Sequence, residues 1–420
     1  MARVLLLTQV LPYPLDAGPK VRAYYMARHL SEKHEVTLAS FVRTDDTSQH
    51  VEHLRGFCHA VHTVPIHRSP LRTLRAGLKG LITGLPVVVA RDESEEMETL
   101  LCRLAAKISF DVIHADQLSM AGYGQLAARA AREVGGRPKT LLDEHNAIYL
   151  LTGRMVATEK RPIPRAVMAR EAQAFTRYER EMCRSYDALL TVTSEDQERL
   201  LALFAASDQA VLERKITVVP ICVDPDGVQT VPREACGPPT ILHLGTMFWP
   251  PNITGVLWFA REVLPRVHKE VPEARFVIAG KNPPPEVTSL ASDPRIEVTG
   301  YAPDPTPYLA GADVFVVPLL AGGGMRVKIL DAWLWGLPVV STAIGAEGIE
   351  YREGENLLVA ADAVAFAGAV VRLLSDGALN ARLRAAGRSW VEERYGWRRV
   401  YRAVDAVYAA LSEAPQNAQR

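Results

Sequence analysis

Cysteine is scarce in this sequence: five residues in 420, at 58, 102, 183, 222 and 236, odd in number and never arranged as Cys-x-x-Cys. That spacing excludes a disulfide framework and a structural zinc site, and a reducing compartment is the simplest setting. Net charge is missing too, because 48 basic residues balance 48 acidic ones. No overall field gathers nucleic acid or an anionic membrane, so any such contact must be local. Glycine has no three-residue period, and a 48% apolar, 23% charged composition is that of a folded chain, which excludes collagen and disorder. Long apolar runs are also absent. The longest uncharged stretch, residues 235–260, holds Pro238, Pro239, Pro250 and Pro251 and reads as strand, turn and helix start, not as a membrane span. Met1-Ala2-Arg3 leads into residues 4–8, too short an apolar run for a signal-peptide core. A cytoplasmic location is expected, with peripheral contact at the inner membrane face left open.

What the chain does have is alternation. Short β-rich runs at 3–9, 35–42, 60–65, 111–115, 139–143 and 187–193 are separated by helical patterns such as 21–33 and 117–134. The pattern resumes at 216–220, 240–244, 274–279, 296–299, 313–317 and 338–342. Apolar strands alternating with amphipathic helices predict parallel, doubly wound α/β sheets. The length exceeds what one core organises, so two domains are expected: residues 1–195, and residues 196–394 after a long charged helix at 166–185. A terminal helix at 395–413 carries Val400, Val404, Val407 and Leu411 on one face and is expected to pack back on the first domain.

The most informative stretch is 318–342. It reads strand end, glycine loop, helix, Gly336, then a strand after Pro338. Gly322, Gly323 and Gly324 allow close backbone approach and free N–H groups for an anion, and the following helix adds its positive end. Arg326 and Lys328 stand in the first turn, where the helix dipole disfavours cations unless an anion is present. The same residues also suit a solvated loop with a Lys328–Asp331 pair.

These residues resemble the retaining GT-B glycosyltransferases of the large bacterial family that builds glycolipids and polysaccharides. Gly323-Gly324-Met325-Arg326-Val327-Lys328 is similar to the Gly-Gly-x-Arg-x-Lys loop of one branch, and 245–252, 298–304, 313–318 and 345–348 are similar as well. The resemblance implies the GT-B fold, two Rossmann-like domains facing a central cleft, and a nucleoside-diphosphate sugar as donor. The family's Glu, seven residues, Glu pattern falls on Gly323 and Asp331. Asp331 is then the ribose ligand, and the first carboxylate is replaced by glycine. Many relatives carry an Arg and a Lys after the first strand of the second domain, but residues 245–252 hold no cation. Arg326 and Lys328 are the substitutes, with Gly245 and Thr246 as hydrogen-bond donors and Gly300 and Tyr301 beside the base.

In the first half, Ala17, Gly18 and Lys20 occupy the place of the family's glycine-rich loop. His114 keeps the first histidine of its His-x-His and Asp116 replaces the second, and His145 follows on the next strand within Asp143-Glu144-His145-Asn146. His114, Asp116 and His145 are the catalytic candidates. A structural strand-end histidine and a plain polar loop are the competing readings. No His/Cys/Asp cluster has metal-ligand spacing, so neither a metal nor a cofactor is expected. Asp224-Pro225-Asp226 is set aside as part of the interdomain connection. Arg68, Arg72, Arg75 and Lys79 recur beside Leu71, Leu74, Leu78 and Ile82 in a stretch free of acids. That pattern suits a helix lying on an anionic membrane near a glycan or lipid-linked acceptor, or a surface helix with arginines in water. Three functions stay open: sugar transfer, nucleotide-sugar binding without turnover, and epimerisation of a nucleotide sugar. No nucleic-acid partner is expected.

Overall fold

The computed structural model describes residues 1–15, 18–158, 161–228, 237–302, 304–322 and 324–413. Ala17 and Gly323 lie outside these. Seven strands form the first sheet: β1 (Arg3–Thr8), β2 (Glu35–Val42), β3 (Ala60–Pro65), β4 (Val112–Asp116), β5 (Lys139–Glu144), β6 (Ala188–Thr191) and β7 (Ile216–Val218), in the order β3-β2-β1-β4-β5-β6-β7. The second holds β8 (Thr240–Leu244), β9 (Arg275–Ala279), β10 (Ile296–Gly300), β11 (Val314–Val317), β12 (Val339–Thr342) and β13 (Leu358–Ala360), in the order β10-β9-β8-β11-β12-β13. Every pairing is parallel. Parallel strands require crossovers, and the intervening helices cover both faces, so β4, β11 and β12 are buried along their whole length.

Each sheet has its own core. Leu5, Phe41, Leu101, Ile113 and Met120 belong to the first. In the second, Phe259 packs on Phe276 and Phe366 with ring centres 4.5 and 5.7 Å apart. The strand order reverses between β1 and β4 and again between β8 and β11. Ligands of such sheets bind beyond the carboxyl ends of the strands at these reversals.

The chain divides into two compact units, Met1–Cys222 with the chain from Val400, and Val223–Arg399. The boundary therefore falls after Cys222 and not at 195. The reason is β7, which pairs with β6 as the last strand of the first sheet. The terminal helix is also interrupted. Gly377–Tyr395 is helical, Gly396 is extended (φ −60°, ψ 129°), and Arg402–Glu413 forms a separate helix in the first unit. There the Tyr401 hydroxyl donates to the Arg22 carbonyl at 3.0 Å, and the Tyr408 hydroxyl meets His114 Nδ1 at 2.9 Å. Asp405 takes His29 at 2.8 Å and Lys33 at 2.6 Å. Among the described residues no single helix is long and apolar enough to cross a membrane.

Candidate functional site

In the second unit the reversal sets the loop after β8 beside the loop after β11. Gly280 ends β9 against the first of these. A Cβ there would lie 1.7 Å from the Gly245 carbonyl oxygen, so only glycine fits. A Cβ on Gly245 would meet Lys328 Nζ at 2.8 Å. Lys328 Nζ donates to Asn252 Oδ1 at 3.0 Å, and Asn252 Nδ2 donates to the Thr246 carbonyl at 2.9 Å. The cation-free loop thus receives its cation from the helix Val327–Leu334, whose lysine reaches over Gly245.

The glycine loop carries the second cation. Gly322 and Gly324 have φ of 139° and 77°, conformations that side chains disfavour. The Arg326 guanidinium lies on Gly322, donates to the Ile344 carbonyl at 3.4 Å and stands 3.9 Å from Glu347. Burial first, and then Arg326, pull the Lys328 ammonium down to about 7, with Asp331 opposing. The helix has no side-chain cap at its N-terminus. Two cations beside an uncapped helix start are the groups that binding an anion requires. Beneath it, buried His243 sets Nδ1 on the Val316 carbonyl at 2.9 Å, so that nitrogen carries the proton. Burial and then Lys328 keep its ring neutral.

Asp331 follows Lys328 by three residues and is open to solvent. Surrounding protein raises its carboxyl and Lys328 lowers it, while solvent access moderates both. Met325 is buried. Gly300 (φ 69°) ends β10, and the exposed Tyr301 ring lies under Lys281 Nζ at 4.4 Å.

The first unit gathers its polar groups at the ends of β4 and β5. Arg22, fully buried in the helix Gly18–Ser31, donates from Nε and Nη2 to the two Asp143 oxygens at 2.8 and 2.7 Å. Its Nη1 donates to the carbonyls of Val219 at 2.6 Å and Pro220 at 3.2 Å. Burial raises the Asp143 carboxyl, but Arg22 and then His145 outweigh it and leave it lowered. His145 Nε2 lies 2.8 Å from Asp116 Oδ1. Asp116, Asp143 and His145 offer ligand atoms within 4.8 Å of one another, a grouping that sequence spacing conceals. Arg22 donates to both oxygens of Asp143, so a metal there would share that carboxylate with a guanidinium.

His114 differs from its two companions. It has no exposure, bonds Tyr408, and burial lowers its pKa to about 4, so it is a neutral interior group. Its Nδ1 faces the terminal helix, while its Nε2 is buried without a hydrogen-bond partner among the described residues. Asp116 and His145 do come together, His145 being the more exposed of the pair at 9%. Gly18 begins its helix and Lys20 is half-buried in the first turn. Near the loop after β1, Tyr13 stacks on His53 with ring centres 4.0 Å apart, and the Tyr24 hydroxyl meets His53 Nε2 at 2.9 Å.

Residues 17–220 match the family described as a glycosyl transferase 4-like domain, and residues 238–376 match glycosyl transferases group 1. Together the matches fill most of both units, whose sheets have the double Rossmann-like arrangement. The chain belongs to the GT-B glycosyltransferases. Anabaena HepE in complex with UDP and glucose superposes with a TM-score of 0.66 at 12% identity, covering 98% of this chain and 100% of that one. Sucrose-phosphate synthase of Thermosynechococcus elongatus gives 0.61 at 18% identity, with 97% and 99% covered. The "uncharacterized 44.6 kDa protein in cps region" of Klebsiella pneumoniae is 23% identical over 415 residues, 96% of this chain and 99% of that protein.

One member of the polar run 143–146 has surroundings that the sequence does not reveal. Glu144, at the end of β5, is buried and neither carboxyl oxygen has a hydrogen-bond partner among the described residues. Burial, then Glu179, Asp143 and Asp196, push its pKa well up. Glu179 accepts the N–H groups of Ile148 and Tyr149 at 2.9 and 2.8 Å, and burial pushes it up to about 7. A folded pKa above the unfolded one gives stability that is full below the unfolded value and lost as pH rises through the folded one. Glu144→Gln should therefore stabilise the first unit by about 1–3 kcal/mol near pH 8 and by nothing near pH 4. Denaturant titrations at both pH values check this, and an equal effect at both would remove Glu144 as the cause.

Proposed function

We propose that this glycosyltransferase moves a sugar from a nucleoside-diphosphate sugar to a hydroxyl of a glycan or lipid-linked acceptor, with retention at the anomeric carbon and without a required metal. The observation that carries the reading is Lys328 held over Gly245 with Arg326 on the adjoining glycine loop. A diphosphate leaving group needs compensating positive charge, and these two cations with the helix N-terminus supply it. HepE with UDP-glucose and Staphylococcus aureus TarM with UDP and alpha-GlcNAc-glycerol support a nucleotide-sugar donor. A lipopolysaccharide outer core galactosyltransferase of the same fold supports an envelope acceptor. A cytoplasmic setting, peripheral at the inner membrane face, fits that substrate pair.

In this mechanism the protein positions and stabilises, and the departing phosphate takes the acceptor proton. Gly323, which lies outside the described residues, leaves only backbone for the donor sugar at its position. Gly300 and Tyr301 border the base. Asp116 and His145 orient a sugar or acceptor hydroxyl, and His114 holds their strand against Tyr408. The test incubates the protein with UDP-, GDP- and dTDP-sugars and an envelope glycan extract, and reads the anomeric configuration of the product by NMR. Retained configuration is expected. Binding without release of nucleoside diphosphate in any combination would favour a nucleotide-sugar-binding protein without turnover.

Asp331 gives a second check. With its carboxylate accepting both ribose hydroxyls, Asp331→Ala should raise KM for the donor about tenfold or more. Asp331→Asn should narrow the preference for ribose over 2′-deoxyribose donors. Unchanged preference in the Asn variant would separate Asp331 from the ribose.

A further inference from the structure

The helix Pro70–Thr83 is built inside out. Its buried positions are Ala76 and Gly80. Gly80 must be small, because a Cβ would lie 2.9 Å from the Leu85 carbonyl and 3.1 Å from Arg170 Nη2. The large apolar side chains face away: Leu71, Leu74, Leu78, Leu81 and Ile82 are between 58% and 87% exposed. Leu71, Leu74, Leu78 and Ile82 follow one another at helical spacing and form a stripe opposite Ala76 and Gly80. The cations do the reverse. Arg68 pairs with Asp92 at 2.6 Å, Arg72 donates to the His67 carbonyl at 3.1 Å, and Lys79 pairs with Glu93. Arg75 is exposed at the edge of the leucine stripe. Packing of the leucine stripe on its own domain with arginines in water does not describe that arrangement; the amphipathic helix expected to lie on a membrane has its exposed apolar stripe here, with most of its cations engaged in pairs.

A neighbouring helix extends the surface. Arg170 of Pro162–Ser185 donates to the Leu85 carbonyl at 3.2 Å, and its neighbour Glu171 accepts the Val87 N–H at 2.6 Å, so the two helices meet there. On the face that carries Arg170, Val167 and Ile163 are 64% and 77% exposed. Further along, Arg177 lies against Gly84. Arg177, Arg180 and Arg184 then line a cavity of about 420 Å³ with Glu181 and Ser185. Arg184 pairs with Asp208, while Arg180 Nε is buried with no hydrogen-bond partner among the described residues.

We propose that this surface docks the protein on an anionic bilayer, with the leucine stripe entering the interface and the arginine cavity taking a lipid phosphate. Charge selects the occupant. Residues 66–91 contain no acid, although Asp92 and Glu93 pair with Arg68 and Lys79, and the cavity sets Arg177, Arg180 and Arg184 against Glu181, with Arg184 paired to Asp208 outside the lining. An apolar stripe beside cations matches the acyl boundary and phosphates of an anionic leaflet. The inference rests on the inner-membrane setting of the proposed function and is independent of the donor site, since none of these residues belongs to the Gly245–Lys328 site.

The full-length protein is mixed with vesicles of phosphatidylcholine alone, or of phosphatidylcholine with a minority of phosphatidylglycerol, and bound protein is separated by flotation. Binding is expected to the anionic vesicles only. The double variant Leu74→Glu/Leu78→Glu should lose about tenfold or more of that binding while its thermal midpoint is kept, because both side chains are exposed. Arg177→Gln/Arg180→Gln should lose the preference for phosphatidylglycerol. Wild-type protein that stays unbound, or equal binding by the leucine variant, overturns the proposal. So does light scattering that shows a dimer abolished by the leucine changes, because the face would then belong to a second copy.

Discussion

Replacing Arg22 with methionine is expected to destabilise the first unit by about 3–5 kcal/mol, the usual consequence of leaving one member of a buried ion pair alone. The change removes both donors to Asp143, whose carboxylate has no exposure, and the donor shared by the Val219 and Pro220 carbonyls. Arg22→Lys should rescue little, because one ammonium cannot span a carboxylate and two carbonyls. The double change Arg22→Met/Asp143→Leu should recover much of the loss, since no charge is then stranded. Asp143 has a lowered folded pKa, so its contribution is present above the unfolded carboxylate value and disappears as pH falls through the folded one. Guanidinium titrations of the three variants near neutral pH decide the matter. A loss under about 1 kcal/mol for Arg22→Met would show that the pair holds little of the unit together.

Replacing Arg326 and Lys328 together with alanine is expected to weaken nucleoside-diphosphate binding by about a hundredfold or more. Each charge-assisted bond is worth about 1.5–3 kcal/mol, so either single change should lose about tenfold to a hundredfold. Stability should move the other way for Lys328. Its ammonium is held below its ordinary pKa by burial and by Arg326, so an uncharged residue relieves a cost in the empty protein. Loss of affinity with an unchanged or higher thermal midpoint distinguishes a binding cation from a structural one. Unaltered affinity in both single variants would remove phosphate from this loop.

Much of the frame was legible because parallel strands buried on both faces leave continuous apolar runs. Twelve of those runs match β1 to β12, whereas β13, only three residues long, carried too little pattern to be seen. The loop proposed to hold the donor stood out in the sequence for a local reason: its glycines, cations and helix start adjoin. What sequence could not give was partnership across the fold. Arg22 meets Asp143 across 121 residues, and His114 meets Tyr408 across 294. An isolated histidine at a strand end looks the same whether it faces substrate or a returning helix. The helix at 70–83 was legible only in part. Its composition showed a stripe of leucines beside a row of arginines, but the side that packs is set by Ala76 and Gly80, the small residues between them.

The most direct test of the donor site is the proton taken up when a nucleoside diphosphate binds. Lys328 sits near pKa 7 in the empty protein, and an anion beside it restores the charged form. Calorimetric titration at about pH 8, in two buffers of different ionisation enthalpy, should show uptake approaching one proton; near pH 6 the lysine is already charged and adds none, and protons leave the ligand's terminal phosphate, whose pKa is about 6. Lys328→Met should bind more weakly with no linked proton. Tight binding with no proton uptake at pH 8, or uptake that persists in Lys328→Met, would contradict the placement of the diphosphate over Gly245.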